Sequence, residues 1–267
     1  MALVKKLSAF CLLLVALSFP SYSQNDFCGQ KNTSFQEGEH LKFKVYYNMS
    51  RIWINAGEAN FNVDLEQLNG HSVYHITGDG KTSKSYEWVY KVHDVYETYI
   101  DVATMLPIKF VRNVNEGGFK IYNNISFNQS VGQAVSTKGV FDVPKCIQDV
   151  LSAIYYARNI DYDKYQAGAK IPFTMFLDDN VYSLYVRYIG KEQIKTRYGT
   201  FNTIKISPLL IEGTIFKGGE KMTVWISDDA NHVPVRVDSP ILVGSIKVDL
   251  FEYDKLRNPF NGLVGKK

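Results

Sequence analysis

The chain has 267 residues, with 30 Lys and Arg against 27 Asp and Glu, a formal charge of +3. So small an imbalance argues against nucleic acid or an anionic membrane as the main partner, because both select strongly basic surfaces. The 18 Tyr and 16 Phe suit β-strands and a thick aromatic core.

Lys5 and Lys6 precede an apolar stretch, Leu7 to Phe19, shorter than the roughly 20 residues that a spanning helix needs. Ser21-Tyr22-Ser23 then offers small residues at cleavage positions. The pattern predicts a signal peptide over residues 1–23 and an exported chain that starts at Gln24, periplasmic or extracellular and not transmembrane. Losing the two lysines lowers the formal charge from +3 to +1. The remaining 244 residues (267 less 23) are enough for one large β-domain or two small ones. The lack of a Pro/Ser/Gly-rich linker favours a single β-rich domain over two separate sandwiches. Cys11 leaves with the signal, and Cys28 and Cys146 stay. Cys28 follows Asn25-Asp26-Phe27 rather than small residues, so a lipoprotein is not expected.

After a short polar lead, Leu41, Phe43, Val45 and Tyr47 alternate with Lys42, Lys44 and Tyr46, the period of a half-buried strand. Ile52-Trp53-Ile54 leads through Gly57-Glu58 to a second run with Phe61 and Val63. Asn69-Gly70 signals a hairpin, since both residues accept positive φ, and Val73 to Ile76 should return. Gly78 to Ser85 is expected to be a loop, and Tyr86 to Tyr99 strand-like. Pro107-Ile108-Lys109 and the alternating run Phe119 to Phe127 follow.

One helix is expected, over about 143–158. Ile147, Val150, Leu151, Ile154 and Tyr155 fall at i, i+3, i+4, i+7 and i+8, one face of a helix. Asp142 ahead of Pro144 supplies a start signal.

Past that helix the order of signals repeats. Gly38-x-x-Leu41-x-Phe43 is matched by Gly168-x-x-Ile171-x-Phe173, and Gly57-Glu58 by Gly190-Lys191-Glu192. Tyr99-Ile100-Asp101 before Pro107 parallels Trp225-Ile226-Ser227 before Pro234. The expectation is mainly β: an antiparallel, strongly curved sheet or open barrel built from two tandem β-repeats, roughly residues 36–128 and 166–254. One central amphipathic helix should lie against the concave face. The tail, residues 256–267, is expected to be loose.

Few residues carry chemistry. His71 and His75 lie four apart on a strand, without the helical clamp or intervening Glu of a zinc protease; no metal is expected. Asp178-Asp179 and Asp228-Asp229 sit between strand-like runs, where Asp and Asn make turns, although a calcium-loop fragment looks similar. No G-x-S-x-G serine, Walker loop or dinucleotide fingerprint occurs, so neither a catalytic residue nor a cofactor is assigned. Two cysteines in an exported chain predict one disulfide, Cys28 to Cys146. Arg158 continues the helical stripe, so its guanidinium needs a partner. It is either a ligand-facing charge in the concavity, with Tyr155 and Tyr156 beside it, or a cation at the helix C-terminus.

Four stretches resemble the DUF3108 family of exported bacterial proteins, whose function is not established. They are Gly38 to Tyr47, Asp149 to Arg158, Ile189-Gly190-Lys191-Glu192, and Trp225 to Asp229 with Pro234-Val235-Arg236. The resemblance implies an envelope protein and brings no catalytic residues. Two readings of function follow: a non-enzymatic module that holds an apolar or amphipathic ligand, such as a lipid, between helix and sheet, or a structural or assembly factor that works through its surface. A glycan hydrolase is a third, and needs two carboxyls about 5–10 Å apart.

Overall fold

The computed structural model describes residues 28–49, 52–88, 90–212, 217–241 and 244–266; the expected signal peptide lies outside them. In chain order the first strands are β1 (His40–Met49), β2 (Ile52–Leu68), β3 (His71–Thr82), β4 (His93–Asp101), β5 (Pro107–Glu116), β6 (Phe119–Asn128), β7 (Gln133–Ser136) and β8 (Gly139–Asp142). Helix α1 (Val150–Ala157) follows, then β9 (Lys170–Leu177), β10 (Asn180–Lys195), β11 (Gly199–Pro208), β12 (Leu210–Glu212), β13 (Lys217–Gly219) and β14 (Thr223–Ser227). The last are β15 (Pro234–Pro240), β16 (Ser245–Asp254) and β17 (Leu263–Lys266).

One large antiparallel sheet takes the order β8-β7-β6-β5-β4-β3-β2-β1-β16-β15-β14-β11-β10-β9, with β17 added beside β11 and β12–β13 paired apart. Two meanders, β1 to β6 and β9 to β16, thus run outward and back in the same strand order, and the two stretches with repeated signals fall on them. Register shifts occur beside the matching glycines, at Val45/Tyr46 opposite Gly57 in β1–β2 and at Tyr188/Gly190 in β10–β11, although the two shifts face different neighbouring strands. Shifts at corresponding places are Tyr99/Ile100 opposite Pro107 and Trp225/Ile226 opposite Pro234. Glycine and proline are the residues that tolerate or force a bulge, which sharpens the bend of a sheet.

The two sheet edges do not pair with each other. Instead Gln148, just past β8, makes an isolated parallel bridge to Met175 of β9, with Gln148 N–H to Thr174 O and Phe176 N–H to Gln148 O both at 2.9 Å. Phe176 of β9 packs against Phe127 and Phe141 of the other edge. The sheet therefore curls until its ends overlap across a small aromatic core.

Helix α1 enters the curl and is shorter than expected. Its N-cap is Asp149, whose Oδ1 accepts from the N–H groups of Leu151 and Ser152 at 2.8 Å, while Ser152 Oγ accepts from Asp149 N–H at 2.9 Å. This capping box satisfies donors that a helix start leaves free. Residues 143–149 are not helical; Cys146 has φ of 61°, and Gln148 is committed to β9. Leu151, Tyr155 and Tyr156 join Val63, Ile76 and Ile100 of the first meander and Ile171, Tyr188, Ile204 and Ile226 of the second in one core.

Burial pushes the Asp149 carboxyl up to about 6, against the pull of the Ser152 N–H and the Thr98 hydroxyl, which donates at 2.7 Å. A folded value above the ordinary 3.8 means stability that is fully present below pH 3.8 and lost as pH rises to about 6. The loss is about 3 kcal/mol. Asp149→Asn keeps the cap oxygen and cannot ionise. Its stability relative to wild type should therefore rise by up to about 3 kcal/mol between pH 4 and 7 in urea titrations. A flat difference over that window contradicts the assignment.

Two other expectations are corrected. The stretch Gly78 to Ser85 is mostly strand, since β3 continues to Thr82. Gly78 lacks a side chain because a Cβ there would stand 3.0 Å from the Phe61 ring. The tail expected to be loose, residues 256–267, is packed over its described residues, 256–266. Asn231 Oδ1 accepts from Asn258 N–H at 2.8 Å, Gly262 N–H donates to Asp229 at 2.8 Å, and β17 pairs with β11.

Candidate functional site

The three residues singled out from sequence as ligand candidates come together in the interior. Tyr155, Tyr156 and Arg158 are 2, 1 and 2 % exposed. Arg158 is the C-cap of α1, and its guanidinium turns inward to Glu39, with Nη1 and Nη2 at 2.6 and 2.8 Å from the two carboxylate oxygens. Nε donates to Asn231 O at 3.1 Å and Nη2 to Ser34 O at 3.3 Å. The rings of Tyr155 and Phe35 face it at 5.0 and 5.5 Å. A planar fork with several donors suits such a closed site, where an unpaired charge would be costly.

Glu39 is equally buried. It lies on the segment 28–39, which crosses the helix as a strap. Along that strap Gln30 N–H donates to the Tyr156 hydroxyl at 3.2 Å, Thr33 N–H to Asn159 Oδ1 at 2.7 Å, and the Ser34 hydroxyl to Arg158 O. Cys28 is joined to Cys146 with Cα atoms 5.5 Å apart, which fastens the strap near the start of the helix. Sequence reasoning missed Glu39. Its partner is 119 positions away, and a single polar residue ahead of a strand carries no periodic signal.

Outside the core, two of the depressions among the described residues stand out. One, of about 230 Å³, lies between the Asp161–Asp163 turn and the β14–β15 turn, and Asp228, Asp229 and His232 line its other side. Lys191 Nζ already bridges Asp163 and Asp228 at 2.7 and 2.9 Å. Asp229 accepts from Ser227 Oγ and Asn231 N–H, both at 2.9 Å. Burial holds His232 below the ordinary histidine value, and its Nδ1 lies 2.7 Å from Arg158 O. The other depression, about 390 Å³, lies on β5 and β6 beside Ile108, Lys109 and Asn124.

Among the described residues no group of three or more His, Cys, Asp or Glu is arranged to hold a metal ion. His71 pairs with Asp101 at 2.8 Å, and His75 lies between Glu66 and Glu97 at 2.8 and 3.0 Å. Asp178 and Asp179 form the β9–β10 turn with φ of 50° and 61°, and their carboxylates hold Arg112 and Lys138 of the overlapping edge. No helix among the described residues is long and apolar enough to cross a membrane.

A curled antiparallel sheet around one capped helix defines a class of β-barrel-like proteins. Within it the chain belongs to the DUF3108 family, described as proteins of unknown function, whose model matches residues 42–250. Among solved structures, a β-barrel-like protein of the domain of unknown function DUF1849 from Brucella abortus is similar in fold. It has a TM-score of 0.54 and 10 % identity, over 83 % of this chain and 99 % of that one. A candidate lipoprotein from Parabacteroides distasonis aligns at a TM-score of 0.36 and 14 % identity, over 84 % of this chain and 100 % of its own. No curated protein matches the chain.

Proposed function

We propose that this protein is an exported, non-enzymatic structural or assembly factor of the bacterial envelope that works through its surface. The observation that carries the reading is the filled interior. Helix α1, the strap and both meanders meet in one core of Phe35, Ile76, Tyr155, Tyr156 and Tyr162, each at most 2 % exposed, and a bidentate ion pair closes it. The reading in which an apolar ligand lies between helix and sheet needs space that these side chains take up. Large aromatic groups stand outside as well, foremost Trp88, Phe119 and Tyr122, and exposed aromatic groups often mark interaction sites.

Native mass spectrometry of the detergent-washed protein tests the reading. The expected mass is that of the polypeptide with one disulfide. A lipid or other apolar molecule bound in stoichiometric amount overturns it.

A further inference from the structure

One end of the sheet carries three of the exposed aromatics, Trp88, Tyr90 and Phe119, on or beside two neighbouring turns. The β3–β4 connection folds back along the sheet: Ser83 N–H donates to Ala56 O at 2.8 Å, Thr82 N–H to Val92 O at 3.1 Å, and Tyr90 N–H to Tyr86 O at 3.2 Å. It is stitched to the β5–β6 turn, Gly117-Gly118, by Gly117 N–H to Lys91 O at 2.8 Å and by a Val92–Glu116 bridge. Both glycines have positive φ, 57° and 94°, and the Tyr90 ring leaves no room for a Cβ at Gly117. The two turns therefore form one ledge.

On this ledge Trp88 is 83 % exposed, Phe119 52 % and Tyr90 49 %. The Trp88 indole N–H is already bonded to Ser85 O at 3.0 Å, which lowers the cost of taking the ring out of water. Lys84 and Lys91 on the β3–β4 connection and Lys120 at the start of β6 are exposed, and Glu87 is the one exposed carboxylate on these two turns. Glu116 beside them is 7 % exposed. Asp94, partly buried, and Glu116 also act on Tyr90, so the excess of positive charge is confined to the exposed side chains, three lysines against Glu87.

We infer that this ledge docks the protein on an anionic lipid bilayer, with Trp88, Tyr90 and Phe119 at the level of the headgroups and the lysines on the lipid phosphates. Aromatic rings with a polar atom and nearby lysines are the side chains that settle at a membrane interface, each lysine adding attraction to acidic lipid. The rings stand exposed on turns and line neither depression, which fits a deformable layer better than a rigid protein face. The inference rests on the reading of the protein as a surface-acting factor.

The test uses the chain from Gln24 onward, which contains every described residue, and vesicles of phosphatidylcholine with or without phosphatidylglycerol. Sedimentation should show binding to the anionic vesicles, weakened by salt, with a blue shift of tryptophan emission that Trp88→Ser abolishes. The double variant W88S/F119S should bind about tenfold more weakly, and so should K84E/K120E, with melting temperatures unchanged. Val264→Ser, which removes an exposed apolar group elsewhere, should bind as wild type does. No binding to either vesicle, or equal binding of W88S/F119S and wild type, overturns the docking ledge. Capture of a protein by the same residues with no vesicle binding does so too. A lipid retained in the native mass spectrum after detergent would instead overturn the surface reading itself.

Discussion

Glu39→Ala is expected to destabilise the protein by about 3–5 kcal/mol. The guanidinium of Arg158, 2 % exposed, would stay in the core with only the carbonyls of Asn231 and Ser34 to accept its hydrogen bonds. The cost is mainly that of an uncompensated buried charge, so removing both partners should be milder than removing one. Glu39→Leu combined with Arg158→Met should recover a large part of the loss. Urea denaturation at neutral pH measures the three variants, and a loss below about 1 kcal/mol for Glu39→Ala would show that the pair is not a keystone. Arg158 also joins the strap, the end of α1 and the β14–β15 turn, so its loss should loosen all three together. Hydrogen exchange at Ser34, Asn159 and Asn231 reports that directly.

Period-two alternation placed β1 and its first half correctly, since Leu41 and Phe43 are 2 and 4 % exposed. It fails past the register shift at Val45/Tyr46: Tyr46, read as facing out, is 4 % exposed, while Val45 and Tyr47 are only partly buried. The Asn69-Gly70 turn was legible for an equally local reason, positive φ at both positions, 52° and 85°. The helix was legible in kind but not in extent. An apolar stripe assumes a helix with one wet face, yet α1 is enclosed by the sheet and the strap. Ser152 and Ala153 are therefore buried while Ile154, counted in the stripe, is 41 % exposed. The strand-like reading of Tyr86 to Tyr99 failed at its start, where Lys84–Tyr86 is a single 3-10 turn, because aromatic composition alone does not separate a strand from an exposed loop. Arg158 stood out as a cation on an apolar stripe, but nothing local could name Glu39, since long-range pairing leaves no periodic trace. The tail looked loose because Asn258 and Pro259 are turn residues, and what holds it is non-local: Asn231, Asp229 and the edge of β11.

Opening the Cys28–Cys146 bond should have the other large effect. The bond closes a loop of 118 positions, and loop-closure entropy assigns about 5 kcal/mol to a ring of that length. Cys28→Ser and Cys146→Ser should each lower stability by an amount on the order of 3–5 kcal/mol, or roughly 10 °C in melting temperature. The double variant should be no worse than either single one, because both remove the same bond. The damage should spread outward from the strap. With Cys28 released, Gln30, Thr33 and Ser34 lose the anchor that holds them on Tyr156, Asn159 and the Arg158 carbonyl. Reduction should then make the chain ahead of Glu39 the first site of proteolytic cleavage while the sheet stays intact. Thiol titration of the denatured, unreduced protein checks the premise. Two reactive thiols per chain would mean that the bond does not form, and equal stability of reduced and oxidised protein would mean that it forms without bracing the fold.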